Sequence, residues 1–133
     1  MVPTDGFTFR KAERVTGKSL IDLLFSSGSR AMTVYPLRMV YRFVDRPRDK
    51  APVMVLIVAP KRHLKHAVDR NRVKRQLREA YRLRKATLQP LLEKIPATRS
   101  LVMAFIWQED GKRTTEKVGK CMQTLLNRLA ERP

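Results

Sequence analysis

The sequence predicts an α+β fold in which one sheet packs against helices. The first indication is length, because 133 residues are enough for a single domain with one modest core, taken here as residues 1–133. The second is the 43% hydrophobic content, which argues against disorder although 31% of the residues are charged. The third is the order of the apolar patterns, which run helix, strands, helix, strand, helix along the chain.

In the first third of the chain, residues 18–25 carry leucines at helical spacing, and Gly28 can end that helix. We expect Leu20, Leu23 and Leu24 to share its buried face. Residues 30–44 form a long extended stretch that Pro36 interrupts, which indicates either two strands or one bent edge strand. After Pro36 the residues alternate, so that one face is apolar and the other carries two arginines.

The next apolar run, residues 53–59, is continuous and rich in β-branched residues, which is typical of a central strand covered on both faces. A basic loop then leads to a helix that begins near Asp69, the predicted N-cap. Three more elements are expected, namely a short helical turn over 89–94, a strand over 100–107 and a final helix over 114–129.

The net charge of +17 and the sequence pI near 11.1 indicate a nucleic-acid partner, or less often an anionic membrane. The longest apolar run, residues 52–60, is too short to span a bilayer, and the N-terminus lacks the features of a signal peptide. Cys121 is the single cysteine and His63 and His66 are the only histidines, so we expect neither an intrachain disulfide nor a protein-bound metal site. These features predict a protein of the reducing cytoplasm.

Positive charge is concentrated in residues 61–85, where eleven Lys or Arg stand against Asp69 and Glu79. Helical spacing places one side of this segment in the core, with the expected members Val73, Leu77, Ala80, Tyr81 and Leu83. The opposite arc carries Asn71, Arg72, Lys74, Arg75, Arg78 and Arg82, with Glu79 as its one acid. A solvated charged face would mix both signs through i,i+4 pairs, so this arc favours contact with a polyanion.

The segment Arg70-Asn71-Arg72-Val73-Lys74-Arg75-Gln76-Leu77-Arg78-Glu79, preceded by Pro60-Lys61-Arg62 and Ala67-Val68, resembles the signature of the bacterial ribonuclease P protein component. The residues Phe7-Thr8-Phe9, Leu24-Phe25 and Gly28 are similar to the N-terminal pattern of that family. The loop of residues 63–69 is one residue longer than in many members and lacks their glycine.

The resemblance implies an α/β sandwich with one mixed sheet, the order αβββαβα and a left-handed β-α-β crossover. It implies a protein subunit, in a 1:1 complex with a catalytic RNA, that assists removal of the 5′ leader from precursor tRNA. The catalytic groups and the Mg2+ ions would then belong mainly to the RNA. No catalytic residue is predicted in the chain, and the isolated protein is expected to have no nuclease activity.

The resemblance also assigns site residues. Those implied for contact with the catalytic RNA are Arg70, Asn71, Arg72, Lys74, Arg75, Arg78, Lys61 and Arg62. A cleft between the sheet and the central helix would hold the leader, with contacts from Phe25, Tyr35, Arg38 and Lys65. A core position suits Phe25 equally well, and the two histidines are expected to be polar groups that face RNA.

Two other classes of function compete with this interpretation. Composition alone is equally consistent with a ribosomal or chromosomal protein that uses its basic helix structurally. A protein-only nuclease would need clustered carboxylates to hold two metal ions, whereas the twelve acids here are scattered.

Overall fold

The computed structural model describes residues 13–15, 17–48 and 50–131. Its elements confirm the predicted α+β fold, the order αβββαβα and the short helical turn expected before the last strand. They are α1 (Lys18–Leu24), β1 (Arg30–Val34), β2 (Leu37–Asp45), β3 (Val53–Val58), α2 (Ala67–Arg84), a 3-10 turn (Lys85–Leu88), α3 (Gln89–Leu92), β4 (Arg99–Trp107) and α4 (Thr115–Glu131).

The four strands form one mixed sheet in the order β1-β2-β4-β3. The pairs β1–β2 and β2–β4 are antiparallel, and β3–β4 is parallel, so α2 connects two parallel neighbours in a β-α-β unit. The left-handed sense of this crossover stays a prediction. Pro36 lies in the turn between β1 and β2, where Val34 pairs with Leu37, so the extended stretch is two strands rather than one bent strand.

The expectation that residues 53–59 form a central strand is wrong. β3 lies at one edge of the four-stranded sheet and β4 lies inside it. β3 is nevertheless apolar on both faces because each face is covered, Val55 by the α2 side and Met54 by the α1 side. Its outer edge is bridged by Arg14, and the Val15 N–H donates to the Val55 carbonyl at 3.1 Å.

Helices cover the sheet on both faces. α2 and α4 pack on one face over the larger core, which contains Leu37, Met39 and Tyr41 of β2. α1 packs on the other face over a smaller core with Val40 and Val44, the alternate residues of the same strand. The last helix buries one side in the larger core, with Val118, Cys121, Met122, Leu125 and Leu129.

The first helix agrees only in part with its predicted face. Leu24 is buried, but Leu23 is exposed because it points away from the sheet. The helix ends at Leu24, so Gly28 does not terminate it. Gly28 instead makes room for Arg42, because a Cβ at this position would stand 2.6 Å from Arg42 Nη1.

The basic helix begins two residues earlier than predicted, at Ala67, with His66 in the N-cap position and no side-chain cap. The prediction of Asp69 as N-cap is therefore wrong. Asp69 lies in the first turn of α2, where its negative charge faces the positive end of the helix dipole. Among the described residues, no helix is long and apolar enough to cross a membrane.

Candidate nucleic-acid interface

The central helix α2 separates an apolar side from a basic side as its spacing predicts. Val73, Leu77, Ala80 and Tyr81 are all buried in the larger core. Leu83 was expected beside them but is 48% exposed. Gln76 is buried at the edge of the apolar side instead. Its Nε2 donates to the Arg113 carbonyl at 3.0 Å, at the entrance to α4.

We call the opposite side of α2 the basic arc, defined as Asn71, Arg72, Lys74, Arg75, Arg78 and Arg82. Arg72, Arg75 and Arg78 are exposed, and none of them forms an ion pair with a residue in the described part of the chain. Arg82 is different, because its guanidinium pairs with Glu79 and lowers the pKa of that carboxyl. The unpaired charge of the basic arc is therefore concentrated in the first three turns of α2.

Arg70 does not belong to the basic arc. Its Nη1 donates to the carbonyls of Leu64 at 3.0 Å and Lys65 at 2.9 Å, so its side chain folds back against the loop before α2. We call residues 60–66 the basic loop. The side chains of Lys61, Arg62 and Lys65 in this loop are exposed, whereas Leu64 is buried and anchors the loop in the larger core.

The basic loop is also contacted by the β4–α4 loop, residues 108–114. His63 Nδ1 lies 2.6 Å from Asp110 Oδ1, so His63 turns toward the protein rather than outward as expected. Lys112 Nζ lies 2.9 Å from Asp69 Oδ1, and this hydrogen bond lowers the pKa of the Asp69 carboxyl. His66 is exposed.

The sheet face that α1 covers is partly open. In the strand register, Arg38 of β2 stands beside Thr33 of β1 and Ile106 of β4. Ile106 in turn stands beside Val58 of β3. Arg38 and Thr33 are exposed, as is Ala31 in the next row. We call these five residues, Ala31, Thr33, Arg38, Val58 and Ile106, the open sheet face.

The predicted cleft between the sheet and the central helix is wrong, because the larger core fills that space. The accessible surface is the open sheet face, on the other side of the sheet. Phe25 lies at the end of α1 along this side and is 47% exposed, which decides against a core position. Beside it, Arg42 Nη1 donates to Ser26 Oγ at 2.7 Å, and a cavity of about 330 Å³ opens between Gly28, Arg30 and Arg42.

The other residues predicted for this surface lie at one end of the sheet. Tyr35 is exposed in the β1–β2 turn, and Arg38, three residues later, is the second residue of β2. Lys65 follows the end of β3, whose Val58 is in the same row as Arg38. Phe25 lies further along the sheet, next to Ser26, which contacts Arg42. Arg42 stands about 13 Å from Arg38 along β2, at a rise of about 3.3 Å per residue.

In the part of the chain that the structure describes, no three His, Cys, Asp or Glu side chains come together in a group that could hold a metal ion. The functional groups of the surface are thus guanidinium, ammonium and aromatic side chains, which bind phosphates and bases.

An α+β fold with a row of unpaired arginines on one helix and an exposed arginine on the open sheet face has the charge distribution of a nucleic-acid-binding protein. The family model for Ribonuclease P matches residues 9–130. The chain therefore belongs to the ribonuclease P protein family, which supplies the protein subunit of a tRNA-processing endoribonuclease whose partner is an RNA. Family membership decides against a ribosomal or chromosomal protein.

Two curated relatives and one solved structure agree with this assignment. Two proteins named ribonuclease P protein component, from two strains of Porphyromonas gingivalis, are 40% and 41% identical to the chain. The first alignment covers 93% of this chain and 88% of the relative, and the second covers 96% and 89%. The structure of the Staphylococcus aureus RNase P protein superposes with a TM-score of 0.66 over 90% of this chain and 96% of that chain. At 16% identity, this last likeness shows the fold alone.

Proposed function

We propose that this subunit holds two RNA segments at once, the catalytic RNA against the basic arc and basic loop, and the 5′ leader of precursor tRNA on the open sheet face. The observation that carries this proposal is that the basic arc and the open sheet face, with its exposed Arg38, lie on opposite sides of one sheet. They approach each other at the end of the sheet where Lys61, Arg62 and Lys65 are exposed. The junction between the leader and the catalytic RNA is therefore assigned to that end.

The catalytic RNA is assigned to the basic arc because its arginines are exposed and unpaired. Arg72, Arg75 and Arg78 are spaced three residues apart, or about 4.5 Å along the helix axis, so they form one continuous row. A guanidinium can bind two phosphate oxygens with two parallel hydrogen bonds, which suits an RNA backbone. Asn71 and Lys74 flank this row, and Lys61 and Arg62 extend it into the basic loop.

The leader is assigned to the open sheet face because a single strand needs cations for its phosphates and flat apolar groups for its bases. Arg38 supplies a cation, and Phe25 supplies an exposed ring. Beside Arg38, in the same row across the strands, the floor is aliphatic, with Ile106 and Val58, and offers no hydrogen-bonding side chain. Stacking on an aromatic ring is tolerant of sequence and is worth about 1–3 kcal/mol per base, which suits leaders of varied sequence.

We assign the chemistry to the RNA partner. Phosphodiester hydrolysis would use Mg2+ held mainly by phosphate oxygens of the RNA, which are hard ligands of the kind this ion prefers. The chain contributes binding and orientation, in a 1:1 complex, since it carries one basic arc and one open sheet face. The isolated chain is expected to cleave no RNA, and the cytoplasm is the expected compartment because bacterial precursor tRNA is processed there.

The test is reconstitution with a bacterial ribonuclease P RNA and precursor tRNA at low magnesium. The chain should lower the magnesium requirement and should tighten binding of a precursor with a leader more than binding of mature tRNA. Phe25→Ala should remove a large part of this leader-dependent gain, at about 1–3 kcal/mol per lost stacking contact.

Leu83→Ala is the matched control, because Leu83 is equally exposed but lies on α2. It should leave the preference for the leader unchanged. A chain that neither lowers the magnesium requirement nor distinguishes the two tRNA substrates would refute the proposed function.

A further inference from the structure

We propose that the β4–α4 loop is a brace that holds the basic loop in its RNA-binding geometry, with Asp110 as the positioning residue. This inference rests on the proposed function, because the basic loop is there assigned to RNA contact. The brace is defined by two contacts, Asp110 with His63 and Lys112 with Asp69.

Three neighbouring residues of the β4–α4 loop reach three points of the adjoining segment. Asp110 contacts the middle of the basic loop, at 2.6 Å from His63. Lys112 contacts the first turn of α2, at 2.9 Å from Asp69. The carbonyl of Arg113 accepts a hydrogen bond from Gln76, about two turns further along α2. The β4–α4 loop is therefore attached both to the basic loop and to the first three turns of α2.

The basic loop is held from its other side as well. Arg70 donates to the carbonyls of Leu64 and Lys65, and the backbone N–H groups of His63 and Leu64 both donate to the Pro60 carbonyl at 3.1 Å. The loop backbone is thus fixed at Pro60 and at the three consecutive positions 63–65. The side chains left exposed are those assigned to RNA, namely Lys61, Arg62 and Lys65. A loop ordered before binding loses less conformational freedom when RNA binds.

Removal of the negative charge of Asp110 tests this inference, because the two possible roles of the residue predict opposite changes in RNA affinity. Its carboxylate is 82% exposed and lies beside a surface that binds phosphates. If Asp110 acted only through its charge, its removal would reduce repulsion and tighten RNA binding. If it positions the basic loop through His63, its removal weakens RNA binding despite the gain in net positive charge.

The experiment compares Asp110→Ala with Asp110→Asn in the full chain, since both remove the same charge. The amide oxygen of Asn can still accept a hydrogen bond from His63, whereas Ala cannot. We expect Asp110→Ala to weaken binding of a bacterial ribonuclease P RNA about threefold or more. We expect Asp110→Asn to bind at least as tightly as the unsubstituted chain. The slope of log affinity against log salt should fall by about 1 in Asp110→Ala alone, for the loss of one phosphate contact.

Asp45→Ala is the control for charge, because Asp45 pairs with Arg99 at the other end of the sheet. It should bind the RNA as tightly as the unsubstituted chain or more tightly. Tighter or equal binding by Asp110→Ala, with the slope retained, would overturn the brace while leaving the proposed function intact. Absence of salt-dependent binding by the unsubstituted chain would refute the proposed function itself.

Discussion

The arginines of the basic arc allow a quantitative prediction about salt. Arg72 and Arg75 are exposed and have no ion-pair partner among the described residues, so both are free to neutralise RNA phosphates. Each neutralised phosphate releases condensed counterions and adds about 0.7–0.9 to the slope of log affinity against log salt. The double substitution Arg72→Gln and Arg75→Gln should therefore flatten that slope by about 1.4–1.8.

The same figures predict affinities directly. Between 50 and 200 mM salt, the unsubstituted chain should lose about 7- to 12-fold more affinity for the catalytic RNA than the double variant loses. Glutamine has nearly the same helix propensity as arginine, so α2 should remain folded. The assay is a titration of labelled catalytic RNA at four or more salt concentrations, with helix content checked by circular dichroism.

The matched control removes two positive charges elsewhere. Lys94→Gln with Arg99→Gln changes the net charge equally, but both residues lie at the opposite end of the sheet from the start of α2. That variant should keep the slope of the unsubstituted chain. Equal slopes for the two double variants would refute the reasoning, because the effect would then depend on net charge and not on contact by the basic arc.

The remaining predictions concern stability. Leu77→Ala should lower the free energy of unfolding by about 2–5 kcal/mol, because Leu77 is fully buried. Leu83→Ala on the same helix should change it by less than about 0.5 kcal/mol, and similar losses in urea unfolding would contradict the assigned faces. The pKa of Asp69 lies below its ordinary 3.8, chiefly because of the hydrogen bond from Lys112. The ionised Asp69 carboxylate therefore stabilises the folded state above pH 3.8, and this stabilisation is lost as the pH falls through the folded-state pKa. Asp69→Asn should accordingly be less stable than the unsubstituted chain at pH 7, and the difference should disappear toward pH 2. A difference that persisted at pH 2 would show that the Lys112 contact is not its cause. The buried Cys121 thiol should react with a thiol reagent only as fast as the protein unfolds. Reaction at the rate of a free thiol in the native protein would place it outside the core.

The helix faces could largely be predicted from the sequence. The spacing of Val73, Leu77, Ala80 and Tyr81 predicts their common burial, because the rotation of about 100° per residue is a local property of the helix. The prediction of burial failed at the edge of the apolar side of α2. Leu83, expected on the buried side, is exposed, and Gln76, for which no role was predicted, is buried because its amide finds a partner at the entrance to α4.

The position of a strand within the sheet could not be predicted in the same way. The β-branched run of β3 correctly indicates that both faces are covered. A central strand and an edge strand between two helical layers bury the same side chains, so composition does not distinguish them. The location of the open sheet face could not be predicted either. The alternation in β2 predicts two faces of the sheet but does not indicate which of them α2 covers.

The sequence by itself determined the charge, the helical periodicity and the motif that identifies the family, since all three depend on residues that are near each other in the chain. Only the tertiary structure decided which cations remain available to RNA. Asp110 lies 47 residues from His63 along the chain. Lys112, which pairs with Asp69, lies in the same distant loop as Asp110. Ion pairs and hydrogen bonds act over a few ångströms in space, so separation along the chain gives no information about them. Arg70, Arg72 and Arg75 are equivalent in the sequence, yet Arg70 is held by the basic loop while the other two are free to bind phosphates.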